Sequence, residues 1–561
     1  MKFKKYYHTI KNLKFTQILY RFKYILKRSL YEKKGATFYR KLEKRYKKRI
    51  ISPYVNFNFI LNDRTYYLYD LESVLKNEIT FLNYEIVFPK TIDWHRDELN
   101  HGTRLWKLNL NYHEFLFDIA LRFKESKDKK YLDYIERTVI EWFEQNPLGT
   151  KGYGKDNWNS YAISLRLIIW IKMYVLIGKE FSTTFQSLFL KLLWIQLTFL
   201  SENLEFDILG NHLIKNWKTL IWGKHFFKTT EFDKQIEKVE KYVYCQFSEK
   251  GMHEEYSPMY SGIVLEDLME VFLFQPKNDE LGNLIHKLFE IVRLLSNNNQ
   301  YLFFNDSINN NGVQFNQLND LYYNIFNIKE EHKSRFFDLD GFVGYKTEKE
   351  HLVFDFAKVV GGSQPGHVQC DALSFEYFLN GKKVFTNSGT FEYNSGTRRE
   401  YSRSSESHNV LKYDAFDQSE IWGSYRMARK AEVGYKINQL AINRLDIKGT
   451  VKGYDFSRDI IHERRVIKEH YSIIIKDLLI ANTKKHATLF FHLTPDFKFE
   501  GDGIFNRNTN QRIAIIRSSN DFKINTTEFY SEFGICEYKE TMVIMNIKPM
   551  KEVVTKIIFD V

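Results

Sequence analysis

The feature that most constrains the fold is a change of hydrophobic pattern near residue 335. From Leu105 to about residue 300, apolar residues recur every three or four positions in long segments such as LWKLNLNYHEFLFDIALRF and SLFLKLLWIQLTFL, as in helices. After residue 335, short runs rich in Val, Ile, Phe, Tyr and Thr are separated by Gly, Asn and Asp, which is typical of antiparallel strands. The pattern predicts packed helical hairpins followed by an antiparallel β-sandwich.

A chain of 561 residues is too long for one ordinary hydrophobic core, so we expect several domains. We predict a basic N-terminal segment over residues 1–50, a helical domain over 51–335 and a sandwich domain over 336–561. Within the sandwich, the runs LSFEYFL and KKVFTNS are joined through Asn380-Gly381, which is a strong signal for a tight hairpin.

Positive charge is concentrated at the start of the chain. Residues 1–50 hold 18 Lys and Arg against Glu32 and Glu43, whereas the whole chain carries only +12. A basic segment mixed with aromatic and aliphatic residues suits peripheral contact with an anionic membrane or with an acidic polymer. The alternative is a solvated basic helical face. No nucleic-acid-reading motif accompanies the charge, so we expect no nucleic acid partner.

Cysteine usage and the N-terminus bear on the compartment. Cys245, Cys370 and Cys536 have spacings that match neither a disulfide framework nor a zinc ribbon. The N-terminus lacks the apolar run and cleavage site of a secretory signal, and no stretch offers about 18 consecutive apolar residues. We therefore expect a cytoplasmic protein, at most peripheral on the inner membrane face.

Two polar clusters lie in the helical part. In GNHLIKNW, Asn211 and His212 open a predicted helix, whose unsatisfied N–H groups suit an anionic ligand. In GMHEEYSPMYSG, Glu254, Tyr256 and Tyr260 precede a helical run, and a tyrosine there can exchange a proton with substrate beside a cation or histidine. The structural alternative is that these residues cap helices and pack.

A third cluster begins the sandwich. His367 starts GHVQCDALSFEY and His408 starts the strand HNVLKY, so two imidazoles can face one cleft; each alone is more often a satisfied core or surface residue. Motifs for nucleotides, dinucleotides, zinc proteases and serine hydrolases do not occur. Paired carboxylates of a glycosidase remain open, because spacing in sequence does not fix their separation in space.

Taken in order, GNHLIKN, HEEYSPMY, PGHVQCDALSFE, FTNSGTF, SHNV and DQSEIWGSYR resemble the heparinase II/III-like polysaccharide lyases from about residue 100 to the C-terminus. The chain is most similar to the signal-less members of bacterial surface-polysaccharide gene clusters. The resemblance implies an α+β multidomain fold, with an incomplete (α/α) toroid followed by an antiparallel β-sandwich. It also implies β-elimination on a polysaccharide or oligosaccharide containing uronic acid, such as heparan sulfate or alginate, which leaves a 4,5-unsaturated uronate.

The resemblance assigns roles to particular residues. Asn211 and His212 match the residues that stabilise the substrate carboxylate, where charge develops as the C5 proton leaves. Tyr260 matches the catalytic tyrosine, which serves as the acid and, on some substrate stereochemistries, also as the base. His367 matches the histidine that assists the proton transfers, and we expect it to face the helical part. The resemblance and the local sequence give these candidates for substrate binding: Trp158, Arg166, Glu254, Tyr256, Arg399, Arg403 and His408.

The chain departs from the family at the three positions where some members carry zinc ligands. Some members bind a structural zinc through a second histidine, an aspartate and the histidine of the H-N motif. Here those positions hold Gln369, Asn387 and His408. Amides are poor zinc ligands, so we expect little or no zinc at these positions and no other cofactor, and predict that the three side chains form a hydrogen-bonded cluster instead.

Two other functions fit the same sequence. One is a glycan-binding or assembly protein in surface-polysaccharide biosynthesis that keeps the cleft without turnover. The other is a glycoside hydrolase, which needs two facing carboxylates and a water.

Overall fold

A computed structural model describes residues 2–46, 68–95, 104–149, 152–309, 312–328, 335–359, 365–441 and 444–560. Parts of the predicted basic segment and of the predicted helical domain fall on 47–67 and 96–103, outside the described residues. In the described part, helices dominate up to residue 326 and strands dominate after residue 335, as the hydrophobic pattern predicts.

The helices share apolar faces at three- and four-residue spacing. They are α1 (Lys2–Lys11), α2 (Phe15–Arg45), α3 (Leu71–Leu75), α4 (Arg104–Tyr112), α5 (Glu114–Ser126), α6 (Lys129–Gln145), α7 (Ser160–Ile177), α8 (Thr183–Glu202), α9 (Gly210–Phe227), α10 (Asp233–Tyr244), α11 (Pro258–Phe272), α12 (Asp279–Leu294), α13 (Phe315–Phe326) and α14 (Thr397–Arg403).

Among the described residues, four short strands lie within the helical part and the other strands follow it. They are β1 (Glu78–Phe81), β2 (Tyr84–Val87), β3 (Ser296–Asn297), β4 (Gln300–Tyr301), β5 (Arg335–Leu339), β6 (Phe342–Lys346), β7 (Glu350–Asp355), β8 (Phe375–Leu379), β9 (Lys382–Phe385), β10 (Leu411–Tyr413), β11 (Ile421–Trp422), β12 (Arg426–Met427), β13 (Glu432–Ala441), β14 (Arg444–Lys452), β15 (Ile461–Glu469), β16 (Ser472–Ile480), β17 (Ala487–His492), β18 (Phe497–Glu500), β19 (Gly503–Asn506), β20 (Arg512–Ser518), β21 (Lys523–Phe529), β22 (Glu537–Ile547) and β23 (Glu552–Phe559).

In the described residues, three larger antiparallel sheets and the two-stranded sheet β11-β12 make up the strand part. The strand orders of the larger sheets are β5-β6-β7-β8-β9, β10-β17-β22-β21 and β13-β14-β15-β16-β23-β20-β19-β18. Strand β16, SIIIKDLLI, alternates strictly between half-buried and buried residues, because successive side chains point to opposite faces of a sheet. Buried residues of all three larger sheets form one hydrophobic core, as in a sandwich.

The predicted hairpin is confirmed. Strands β8 and β9 pair antiparallel, and Leu379 lies opposite Lys382 across the turn. Asn380 and Gly381 have φ values of 50° and 75°. Two consecutive positive φ values match the tight turn that suits the twist of paired strands, and Asn-Gly is the pair that tolerates them best.

The chain divides into two compact units. One, called here the helical unit, comprises Lys14–Cys245 and Glu266–Gly282; the other, called here the strand unit, comprises Met1–Leu13, Gln246–Leu265 and Asn283–Val561. The interior of the helical unit holds Trp106, Trp142, Trp170, Trp194, Trp217 and Trp222, all of them fully buried.

Helix α7 is long and apolar enough, by length and composition, to cross a membrane. Two thirds of its residues (67%) are buried within the protein, which is how the core helix of a folded domain behaves. Its Lys172 lies 3.5 Å from Glu270, inside the helical unit. We therefore describe α7 as a core helix.

Candidate active site

The motif SPMY begins helix α11 and places Tyr260 in its first turn. The Ser257 hydroxyl accepts a hydrogen bond from the Tyr260 N–H at 3.2 Å and donates to the Asp306 carbonyl at 2.8 Å. Pro258 is the first helical residue, where a missing N–H costs nothing. The motif therefore fixes both the start of the helix and its attachment to residue 306.

Tyr260, His367 and Tyr393 form an aromatic cluster in the strand unit. The Tyr260 and His367 ring centroids are 3.9 Å apart, and the Tyr260 and Tyr393 hydroxyl oxygens are 2.9 Å apart. The rim of the cluster is formed by Tyr425, whose ring lies 5.5 Å from that of Tyr393 and which is 42% exposed. Two phenols and one imidazole thus meet next to solvent, which is a set of groups able to exchange protons with a bound substrate.

The alternation of His367, Gln369 and Asp371 has a structural explanation, since all three side chains bind residues 305 and 306. His367 Nδ1 lies 3.0 Å from Asp306 Oδ2, and Gln369 Nε2 donates to Asp306 Oδ1 at 2.7 Å. Asp371 Oδ2 accepts from the Asn305 N–H at 2.6 Å. The loop before β8 therefore binds the turn at residues 305 and 306, and this turn orients the imidazole.

Asp306 is fully buried and paired with a buried arginine. Arg399 donates to both carboxylate oxygens, from Nη1 at 2.6 Å and from Nη2 at 2.8 Å. Burial alone would raise the pKa of Asp306, but Arg399 and the bond to His367 outweigh it and hold the pKa well below its usual range. Ionised Asp306 accepts a hydrogen bond from His367 Nδ1–H, and in that tautomer Nε2 is the acceptor nitrogen of the ring.

Tyr260 is a neutral phenol at ordinary pH. Burial first, and then Tyr393, Asp306 and Glu255, raise the pKa of Tyr260 well above its usual value. Glu255 also faces the imidazole, with its Oε2 atom 4.0 Å from His367 Nε2. A phenol that keeps its proton is suited to donating it to a leaving oxygen.

Asn211 and His212 lie in the helical unit, in the first turn of α9. The backbone before them is unusual, since Leu209 has φ of 66° and Gly210 has φ of 58°. A leucine in this region costs about 1–3 kcal/mol, and such strain is concentrated at functional sites. His212 Nδ1 lies 3.0 Å from Glu205 Oε1, so the other ring nitrogen, Nε2, is the one directed away from this carboxylate.

The structure corrects the expectation that Arg166 and Trp158 contact sugar. Arg166 is fully buried, and its guanidinium donates to Gln196 Oε1 and to the carbonyls of Asn111 and Asn157. Trp158 is also buried and donates from Nε1 to a backbone carbonyl. Both side chains hold the interior of the helical unit together, because every donor nitrogen is used within the protein.

Three further candidates are buried in the strand unit and are corrected in the same way. Arg403 donates to backbone carbonyls, including that of Val368 at 3.1 Å, and His408 Nδ1 lies 3.0 Å from Asn387 Oδ1. Arg399 binds Asp306, and its guanidinium also lies over the Tyr393 ring, 5.0 Å from the ring centroid. A substrate cannot displace these contacts without leaving buried polar groups unsatisfied, so all three residues act as supports.

Glu254 and Tyr256, the other two substrate-binding candidates, precede α11 and are half-buried. Tyr256 has a positive φ of 49°, and its carbonyl accepts from Asn305 Nδ2 at 2.9 Å. Burial raises the pKa of Tyr256 to about 12. Neither residue is among the direct contacts of Tyr260 and His367 described above, so their role in binding stays a prediction.

The residues at the family's zinc positions do not fit that metal. They offer one imidazole and two amides, and the part of the chain that the structure describes contains no cluster of three His, Cys, Asp or Glu able to hold a metal. The predicted three-residue cluster is only partly present: Asn387 binds His408, whereas Gln369 binds Asp306 and Thr390. Burial lowers the pKa of His408 to about 3, so this imidazole is neutral.

Two family models match consecutive parts of the chain. The model of the heparinase II/III N-terminus matches residues 12–327, which is more than half of the chain, and the heparinase II/III-like C-terminal model matches residues 330–554. The chain belongs to the heparinase II/III family of polysaccharide lyases. The family predicted from the ordered motifs is thus confirmed. A comparison of the chain with curated proteins found no match.

Solved structures confirm the predicted fold class. A crystal structure of heparinase III matches with a TM-score of 0.71 at 18% identity, covering 92% of this chain and 86% of that chain. A heparan sulfate lyase mutant from Pedobacter heparinus gives 0.58 at 16%, covering 94% and 88%. A chondroitin AC lyase from Streptomyces coelicolor, in complex with chondroitin sulphate, gives 0.52 at 9%, covering 84% and 76%. At these identities the likeness is one of fold.

Sequence reasoning missed Asp306 and Tyr393. Asp306 follows the apolar run YLFF, and Tyr393 lies in an irregular segment after β9. A carboxylate two positions after an apolar run is a weak signal, and nothing local marks Tyr393. Asp306 and Tyr393 enter the site only through contacts with residues more than 60 positions away in the sequence, His367 and Tyr260.

Proposed function

We propose that this protein cleaves an acidic polysaccharide by β-elimination at a uronate, leaving a 4,5-unsaturated uronate at the new non-reducing end. The observation that carries the proposal is the contact of Tyr260 with His367 and with the Tyr393 hydroxyl. A proton donor and a proton acceptor side by side are what this elimination requires, and a water nucleophile is not.

In the proposed reaction, His367 Nε2 takes the C5 proton, the C4–O4 bond breaks, and Tyr260 protonates the departing O4 oxygen. The electron pair of the C5–H bond becomes the C4–C5 double bond, and the O4 oxygen leaves with the bonding pair before it receives the proton. The geometry that supports His367 as the base is its Nδ1 contact with ionised Asp306. Such paired proton transfers each contribute about 10² to 10⁴ in rate.

The adjacent positions of Tyr260 and His367 support a preference of stereochemistry. Two groups whose ring centroids are 3.9 Å apart approach a sugar from the same side. In glucuronate the C5 hydrogen and the O4 oxygen lie on the same face of the ring, whereas in its C5 epimer, iduronate, they lie on opposite faces. We therefore propose glucuronate-type substrates.

On the family resemblance, we assign Asn211 and His212 to binding the substrate carboxylate. An amide and an imidazole are able to neutralise the substrate carboxylate, which makes the C5 proton more acidic. Replacing either residue should lower kcat, because the charge that they stabilise develops only in the transition state. A bacterial surface polysaccharide is the substrate source that we propose.

Hydrolysis by paired carboxylates is disfavoured by the state of Asp306. A glycosidase needs one carboxyl group that donates a proton and a second that activates water or attacks. Asp306 is fully buried and bound by Arg399, with its pKa well below the usual range, so it has no proton to give. Among the residues described around Tyr260, Glu255 and Asp306 therefore do not form the pair of carboxyl groups that a glycosidase needs.

The test is a substrate panel of hyaluronan, heparan sulfate, dermatan sulfate, alginate and acidic capsular polysaccharides. Product is followed by the ultraviolet absorbance of its conjugated double bond and, in parallel, by new reducing ends. We expect both signals to rise together on a glucuronate polymer. Reducing ends without absorbance would establish hydrolysis, and retention of glycan with neither signal would establish binding without turnover.

A further inference from the structure

Helix α2 has two opposite faces with different roles. Gln17, Tyr24 and Tyr31 point into the helical unit and are buried, and the Gln17 side chain donates to the carbonyl of Asp207. These residues recur every seven positions, which keeps them on one face at about 100° per residue. One side of α2 is therefore a stable part of the helical unit.

The other side of α2 is apolar and exposed. Its exposed large hydrophobic residues are Phe15, Leu19, Phe22, Ile25, Leu26 and Leu30. At about 100° per residue, Phe15, Phe22 and Leu26 lie within 40° of one another and opposite the buried face. Phe15 is 77% exposed and Leu26 67% exposed, values that a soluble domain rarely shows for a row of neighbouring apolar side chains.

The charged side chains that precede Glu32 are all basic. Residues 1–31 contain nine Lys and Arg and no Asp or Glu. Lys23 is exposed and lies about 80° around the helix from the centre of the apolar face, and Lys14 and Lys33 are exposed near its ends. An apolar stripe with cations beside it and at both ends matches the boundary between lipid headgroups and acyl chains of an anionic membrane.

We propose that the exposed face of α2 binds the surface of an anionic lipid membrane. The row from Phe15 to Lys33 is about 28 Å long at 1.5 Å per residue, and the helix lies flat with Phe15, Phe22 and Leu26 inserted. Pairing with a second copy of the chain would bring cations against cations. Binding of an acidic polysaccharide through charge would not require six exposed apolar side chains.

Helix α1 shows the same composition in the strand unit. Its exposed residues Phe3, Tyr7 and Ile10 lie on one face, whereas Thr9 and the following Asn12 bind the carbonyls of Met427 and Ala428. The helix is thus held by one side and exposes an apolar surface on the other.

The experiment is co-sedimentation of the full-length protein with vesicles of phosphatidylcholine alone or with phosphatidylglycerol. We expect binding only to the anionic vesicles, and weaker binding at high salt. Lys23 and Lys33 alone contribute about fivefold each in the partition coefficient. The double variant Phe22→Glu/Leu26→Glu is expected to lose at least about 30-fold, because two apolar side chains no longer enter the membrane.

A matched control is Tyr538→Glu/Met545→Glu, which also removes two exposed apolar side chains and adds two negative charges. This variant should bind vesicles nearly as wild type does, apart from the small effect of net charge. Equal binding by both double variants, or no binding by wild type, would overturn the proposal. If wild type binds no vesicles and is a dimer that Phe22→Glu/Leu26→Glu converts to a monomer, the face serves self-association. If wild type binds acidic polysaccharide and no vesicles, the face serves that polymer.

Discussion

Replacing Asp306 with asparagine tests the support beneath the proposed base. The carboxylate accepts two hydrogen bonds from Arg399, one from Gln369 and one from His367, and none of its surface is exposed. Asparagine keeps the size of the side chain but removes the negative charge. The Arg399 guanidinium is then buried without a counter-charge.

Removing one partner of a buried ion pair typically costs about 3–5 kcal/mol of unfolding free energy. We expect a loss of that size for Asp306→Asn in urea titration at neutral pH. Removing both charges, in Asp306→Asn/Arg399→Met, should recover part of the loss, because the unpaired cation is gone. A loss below about 1 kcal/mol, or a double variant no more stable than Asp306→Asn, would refute the reasoning.

Activity gives a second readout of the same residue. Without the carboxylate, His367 Nδ1 has no anionic acceptor, and the imidazole is no longer held with Nε2 toward substrate. We expect kcat to fall by about 10² or more while KM changes little, since substrate does not touch Asp306. A purely structural role would instead lower the amount of folded enzyme and leave the kcat of the folded fraction unchanged.

Three other predictions follow from buried groups. Burial and the Asp371 carboxylate raise the pKa of Asp355, so the unfolding free energy of wild type should fall as pH rises from about 4 towards neutral. In urea titrations at several pH values, Asp355→Asn should flatten this fall. An unchanged slope in Asp355→Asn would contradict the assignment. Metal analysis should find far less than one zinc per wild-type chain, because amide side chains are poor zinc ligands. The variant Gln369→His/Asn387→Asp should gain zinc, and stoichiometric zinc in wild type would contradict this reasoning. Tyr393→Phe should lower kcat by about 3- to 10-fold in the absorbance assay, because Tyr260 loses one hydrogen bond, and full activity would exclude a role for that hydroxyl.

The order of helices and strands was predictable because periodicity records which side of each segment is buried. The Asn380-Gly381 turn was predictable for a local reason, since few residue pairs tolerate two positive φ values. Tyr260 and His367 were chosen through an ordered set of motifs, and the structure brings their rings together. Their catalytic roles rest on the proposed reaction.

The burial of polar residues was harder to predict. Arg166 lies in a helix whose composition also fits a solvated or substrate-facing arginine, yet its guanidinium is enclosed by carbonyls from two other segments. The sequence around Arg399 likewise does not reveal that its partner is Asp306, 93 positions earlier. Such pairings depend on how distant segments pack, which local pattern does not encode.

The most direct test of the central claim is the rate of absorbance increase for Tyr260→Phe on the polymer that wild type cleaves fastest. The substitution removes one hydroxyl, so we expect kcat to fall by about 10² to 10⁴ while the thermal midpoint and glycan binding stay close to those of wild type. Tyr538→Phe, at a tyrosine 64% exposed on β22, is the matched control and should keep full activity. A wild-type rate in Tyr260→Phe would contradict the proposal that this phenol donates the proton to the leaving oxygen.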